Sequence, residues 1–419
     1  MPEKPRALLR TRMLIIAGMD DMTIAAQCAL SIEFYAMLKL QVADLKDGDH
    51  CCWFSASDDS EEGGPQAVLQ RLSSNLPDTD ALAEPHELRD RATRFYNEAL
   101  RLFGLKIMPL EAALWAVIDL HTVTVSHMAF VSNDQMARHL SPYCYGVLDI
   151  GETLISSYLG PRPAFGLREM SSQTAFPLRS FAQCDILRCV AMLNRRPFLF
   201  LRMDLDGGDA NPGAEYATQQ DWVDAEACAI YQGQPWLLLV TLAEVAELLA
   251  ARAVGVVGEE EALKRGQRLE LFLDTLDLTL VAAPHDVTTA ELWREATIIY
   301  LYQEVYRYDN CLSTMLTFRA GRSHKRLRRA LRYSIALTQQ LLPSKPSFLS
   351  CPVFLVATLA LEDSDRALLR QYLRQSMPGQ GGPNNCRLAE EIWREADEEA
   401  KATSWRDVAL NIGLLPTLW

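Results

Sequence analysis

ELWREATIIYLYQEVYRY (residues 291–308), FRAGRSHKRLRRALRYSIALTQQLL (318–342) and FLSCPVFLVATLALEDSDRALL (348–369) decide how this chain folds. In the first, Leu292, Ala296, Ile299, Tyr302 and Tyr306 recur at helical spacing. The second sets Leu327, Leu331 and Ile335 on one side and crowds arginine and lysine on the other. The third is apolar nearly all round, and a helix of that kind has to be wrapped by others. Three such helices in succession predict the centre of a large, irregular, all-α multi-helix domain.

Outward from that centre the pattern stays helical. Residues 236–252 (WLLLVTLAEVAELLAAR) and 259–277 precede it, each with apolar residues at helical spacing. Further upstream, FPLRSFAQCDILRCVAMLNRRP keeps Phe181, Ile186 and Val190 in phase and stops before Pro197. QMARHLSPYCYGVLDIGETLISSYL is bent or split at Pro142 and closed by Gly160. LEAALWAVIDLHTVTVSHMAF, behind Pro109, reads as a buried helix, since proline suits a first turn. Downstream, a loop over residues 377–385 (MPGQGGPNN) leads to an amphipathic helix marked by Ala389, Ile392, Trp393 and Ala396. A last short helix carries Trp405, Val408, Ala409 and Ile412 and ends at Gly413. Only residues 198–203 have a strand-like character, and no fixed repeat period appears. The expected organisation is an N-terminal helical segment (1–54), an acidic flexible loop (55–66, SASDDSEEGGPQ) and a helical domain (67–419).

With 419 residues the chain can bury a core without disulfide or metal. Its ten cysteines are scattered with no CxxC, so zinc-cluster spacing is absent and a reducing compartment is expected. A net charge of -13 argues against the whole chain clamping a nucleic acid, whose affinity comes from Lys and Arg neutralising phosphates. No apolar run reaches the roughly 18 residues of a membrane span.

Motifs that carry chemistry are scarce. Asp204, Asp206 and Glu215 sit where a calcium loop places acids, but Asp209 stands where its turn glycine belongs, so a solvated turn is the better account. His121 and His127 are six apart, on different helical faces, and do not make a zinc pair. No GxSxG, P-loop or GxGxxG occurs. No catalytic residue, metal or cofactor is assigned, and the chain is expected not to be an enzyme. The feature that remains is basic: Arg322, Lys325, Arg326, Arg328 and Arg329, a nuclear-import or partner-docking patch set against the plainer reading of a solvated helix face.

Four segments together resemble a known family. FAQCDILRCVAMLNRRPFLF has a central Asp185 and the exit Asn194-Arg195-Arg196-Pro197. YQGQPWLLLVTLAEVAELLAAR sets a Gly233-x-Pro235 turn before a Leu-rich helix. LWREATIIYLYQEVYRY is the third, and the run from PVFLVATLALEDSDRALLRQYL to the tryptophan-rich end with Trp405-Arg406-Asp407-Val408 is the fourth. In order and spacing they are similar to the fungal-specific regulatory domain found C-terminal to zinc-cluster transcription factors, over about residues 108–419. The resemblance implies transcriptional regulation in the nucleus through protein partners: the transcription machinery, a zinc-cluster factor, or a second copy. The family's six-cysteine DNA-reading module has no counterpart in these residues. Direct DNA binding is therefore not expected; the chain acts without its own reader or as part of a longer one. The rivals are a scaffold or inhibitor pairing with a full-length zinc-cluster factor, and a helical small-molecule enzyme. A small-molecule effector would lie between helices against apolar and aromatic groups; Tyr300, Tyr302, Tyr306 and Tyr308 are candidates, although tyrosines at this spacing are more often core and rim.

Overall fold

The computed structural model describes residues 94, 114, 117–118, 120–121, 146–161, 163–165, 176–192, 195–201, 236–279, 287–306, 322–342, 349–375, 381–399 and 404–418. The acidic loop, the calcium-like loop, His127 and Tyr308 lie outside them. The fold is all-α. In chain order its helices are α1 (Gly146–Leu159), α2 (Phe176–Ala191), α3 (Trp236–Ala253), α4 (Glu259–Thr275), α5 (Val287–Glu304), α6 (Arg322–Leu341), α7 (Ser350–Ala357), α8 (Asp363–Gln375), α9 (Gly381–Glu399) and α10 (Trp405–Ile412). Among the described residues the exception is a two-residue parallel pairing of β1 (Ala164–Phe165) with β2 (Phe200–Leu201), with Ala164 opposite Phe200. None of the described helices is long and apolar enough to cross a membrane.

Two compact units divide the chain: residues 1–158 with 343–346, and 159–342 with 347–419. In the first, Leu114, Val117, Ile118, Leu120 and His121 are buried, and α1 turns Val147, Leu148 and Ile155 inward. Gly160, at φ 86°, closes α1 in the left-handed conformation that glycine adopts without a Cβ clash.

The second unit is organised around α5, which packs against α3, α4, α6 and α7. Nearly the whole helix is inside: Leu292, Ala296, Ile298, Ile299, Tyr300 and Leu301 show no exposure. α7 is buried at every position from Ser350 to Ala357 and packs on α5, α6, α8 and α9. Each fully buried Val, Leu or Phe there contributes about 1.5–3 kcal/mol relative to an exposed one. The run read as one apolar helix ends at Ala357, and Asp363 and Asp365 sit in the first turn of α8, where acids favour the helix dipole.

Buried polar groups fix the connections. Asp185 and Arg188 on α2 are almost wholly inside. Arg188 donates to Asp185 Oδ1 at 2.5 Å, while the Phe198 N–H donates to Oδ2 at 2.6 Å. The mid-helix carboxylate thus pins the chain where it leaves the helix, and Phe198 meets Phe181 edge-to-face at 6.5 Å. At the other end of the unit, Asn385 donates to Ser350 Oγ and to the Thr417 carbonyl and accepts from the Thr417 N–H. That clamp holds the C-terminal strap against α7 and α9.

Asn385 lies inside α9, so the loop expected over 377–385 is shorter than the sequence suggests. α9 begins at Gly381, with Pro383 in its first turn, where the missing N–H costs nothing. Gly382 has no room for a side chain, because a Cβ would come within 2.4 Å of the Leu373 carbonyl oxygen. Residues that read as loop formers are there to permit a close approach and a buried amide. α10 follows the expectation. Ser404 accepts from the Arg406 N–H at its start, and Gly413, at φ 65°, ends it.

Candidate interaction surface on the basic helix

α6 separates two stripes. Leu327, Ala330, Leu331, Ser334, Leu337, Thr338 and Leu341 are buried, largely against α5. Ile335 is only half-buried, although Leu327, Leu331 and Ile335 were expected to share the inner face. With about 100° per residue a row of fourth residues precesses by about 40° per step, so the third member turns partly toward solvent. Ser334 and Thr338 take its place on the inner face.

Outward point Lys325, Arg328, Arg329 and Arg332, all exposed. Of the five patch residues read from the sequence, these positions bring Lys325, Arg328 and Arg329 together. Arg322 lies in the first turn of the same helix, described by its backbone position. Arg326 points elsewhere. Its Nε donates to Asp274 Oδ1 at 2.8 Å and a terminal nitrogen donates to Glu295 Oε2 at 2.7 Å. Glu295 is 4% exposed and also accepts from Arg294 at 3.2 Å. Burial works against the Arg326 charge, but the bonds and attraction of Glu295 and Asp274 outweigh it and hold the guanidinium above its ordinary value. Arg326 therefore clasps α6 to α4 and α5.

Two open depressions flank the outer stripe. The larger, 610 Å³, is lined by Arg294, Glu295, Lys325, Arg328, Arg329, Arg332, Tyr333 and Ala336. The other, 520 Å³, runs over Glu270, Leu271, Asp274 and Tyr302 and shares Lys325 and Arg329 with the first. Lys325, Arg329 and Arg332 line the larger depression together with one carboxylate, Glu295, which is already paired with Arg294 and Arg326. A third depression, 390 Å³ between α3 and α4, sets Arg196, Arg265 and Arg268 against Glu244, Glu247 and Glu261 and is balanced in charge. At the far end of the stripe, Tyr333 is 38% exposed and donates to Glu291 at 2.6 Å. Partial burial and that bond push its phenol up to about 12, so it stays neutral.

Of the four tyrosines named for an effector pocket, Tyr300, Tyr302 and Tyr306 are described, and each has a structural contact. Tyr300 is fully buried and accepts from Arg406 at 2.8 Å; burial pushes its phenol up. Tyr302 and Tyr306 donate to the two oxygens of Glu270, with their rings edge-to-face at 4.9 Å. Tyr302 reaches the edge of the smaller depression. Asp274, Glu270, Arg294 and Glu295 all shape this surface, and sequence reasoning missed them. Their signal is i,i+4 spacing of Glu270 with Asp274 and adjacency of Arg294 with Glu295, too common on helices to single out. Cys184 and Cys351 are buried free thiols, and burial pushes both well above the ordinary thiol range, which leaves them as inert small hydrophobes. Among the described residues no group of three or more His, Cys, Asp or Glu is placed to hold a metal.

A family model described as the fungal specific transcription factor domain matches residues 70–416. No curated protein and no solved structure matches the chain.

Proposed function

The chain belongs to the fungal specific transcription factor domain family, and from that premise we propose that it is the regulatory part of a nuclear transcription regulator that works through protein partners. The observation that carries this reading is the separation of stripes on α6. A helix anchored by a buried inner face and by the Arg326 clasp presents an outward row of cations on a chain whose net charge is -13. Such a row is held folded, whereas a free import signal is an extended segment, so the patch suits docking better than import. The described depressions are open and charged, which suits a protein surface better than an enclosed apolar effector. A second reading keeps the same domain and makes its partner a full-length zinc-cluster factor.

The test is to tether the chain through a heterologous DNA reader upstream of a reporter in a fungal cell. Reporter output should change at least severalfold in either direction. Output equal to that of the reader alone would refute a regulatory domain. Co-purification from nuclear extract then separates the two readings, since the second requires a zinc-cluster protein in the complex.

A further inference from the structure

We propose that the outer stripe of α6 is the docking surface for an acidic segment of a partner protein, with several carboxylates in line and an apolar residue at one end. The proposal deepens the regulatory reading and rests on it. Lys325, Arg329, Arg332 and Ala336 are exposed and fall on one face, at i, i+4, i+7 and i+11. At 1.5 Å per residue that row is about 16 Å long. Arg294, from α5, widens it on the side of the larger depression. The row ends at the exposed ring of Tyr333 beside Ala336, a small apolar landing next to the cations.

Charge and length choose the occupant. The one carboxylate that lines this depression, Glu295, is committed to Arg326 and Arg294. The exposed charges of Lys325, Arg329 and Arg332 therefore fall to an outside anion. A single phosphate covers about one helical turn, while the row spans three, so it fits charges repeated along a chain. A nucleic acid also repeats its charge, but a duplex extends well beyond 16 Å and would meet the acidic remainder of a chain with pI near 5.1. A short acidic peptide places all its charge on the stripe. Arginine-rich surfaces recognise acidic motifs in this way, and complementary fields speed the encounter.

Binding is measured by fluorescence anisotropy on the purified full chain at about 50 mM salt. The probe is a labelled 12-residue peptide with Asp or Glu at half its positions and one terminal Leu; inorganic phosphate and a 20-bp duplex are competitors. The acidic peptide should bind, and the same peptide with Asn and Gln in place of the acids should not. K325E/R329E/R332E should weaken binding at least tenfold. K264E/R265E/R268E, an equal charge change on α4, should weaken it less than threefold. Circular dichroism confirms that both variants remain folded. Equal loss in the two triple variants, no loss in the stripe variant, or displacement of the peptide by duplex at matched charge would each overturn the proposal. The reporter assay can fail while this binding stands, and binding can fail while the reporter responds, so the two outcomes are distinguishable.

Discussion

Arginines at two ends of the second unit do opposite things. Arg406, at the start of α10, is 5% exposed; it donates to Glu304 at 2.8 Å and to Tyr300, and it stacks on the Trp405 ring at 4.5 Å. Burial works against its charge, but Tyr300 and Glu304 outweigh that and raise its pKa. Arg329 and Arg332 on α6 are exposed and line an open depression. Both sites turn on arginine, one enclosed among Glu304, Tyr300 and Trp405 and the other in a row on a helix surface. What separates them is where the counter-charge comes from: at Arg406 it is built into the fold, whereas on the α6 stripe Arg329 and Arg332 face open depressions.

That contrast is broken most severely at the buried end. Arg406→Met keeps much of the side-chain volume but leaves Glu304 and the Tyr300 hydroxyl without their donor. Removing one partner of a buried pair costs about 3–5 kcal/mol. Chemical denaturation of the variant should show a loss of that size. A loss under 1 kcal/mol would mean that Arg406 is no more committed than the stripe, and the comparison would collapse. Replacing Glu304 and Arg406 together by apolar residues should recover part of the loss, since the penalty belongs chiefly to the orphaned partner.

The next effect lies in the strap that ends the chain. Asn385→Leu removes the bonds to Ser350 and to both backbone groups of Thr417. Orphaned buried polar groups cost about 1–3 kcal/mol each, and relaxation of the strap toward water reduces the total, so about 2–3 kcal/mol is expected. Hydrogen exchange should show faster exchange of the Thr417 amide while α5 amides stay protected. Uniform acceleration would show that the clamp belongs to the global core.

How much of this was legible is best judged element by element. α3 and α4 were read to within two residues at either end, because their apolar residues keep a helical period and Gly255 and Asp277 punctuate them. Asp185 with the Asn194–Pro197 exit was found through the family-like pattern, and its physical job is a bond to Phe198 thirteen residues on. The glycine- and asparagine-rich start of α9 was not legible, because local propensity favours a loop and only the tertiary clamp on Thr417 overrides it. The patch was located, but its sorting was not. Arg326 differs from Arg328 and Arg329 through Asp274 and Glu295 on other helices, and no one-dimensional pattern records that.

Between the two extremes stands Arg366, a guanidinium 7% exposed that binds both oxygens of Asp397, a carboxylate whose side chain is 51% exposed. The Arg366 hydrogen bonds hold the Asp397 carboxyl below its usual range. A carboxyl whose pKa is lowered on folding contributes stability above its unfolded value near 3.9, and the contribution is lost as pH falls through the folded value. Because Asp397 is half in water, that contribution is well under 1 kcal/mol after solvent screening. Asp397→Asn should therefore lower stability slightly at pH 7 and flatten the acid limb of the stability curve below about pH 4. Arg366 keeps its bond to the Ala360 carbonyl and its stacking on Trp393, which is why the effect stays small. Urea midpoints from pH 7 to pH 3 measure it. A variant as costly as Arg406→Met would show that one buried partner suffices to commit a pair, and the division between inner and outer cations would then follow the guanidinium's burial alone.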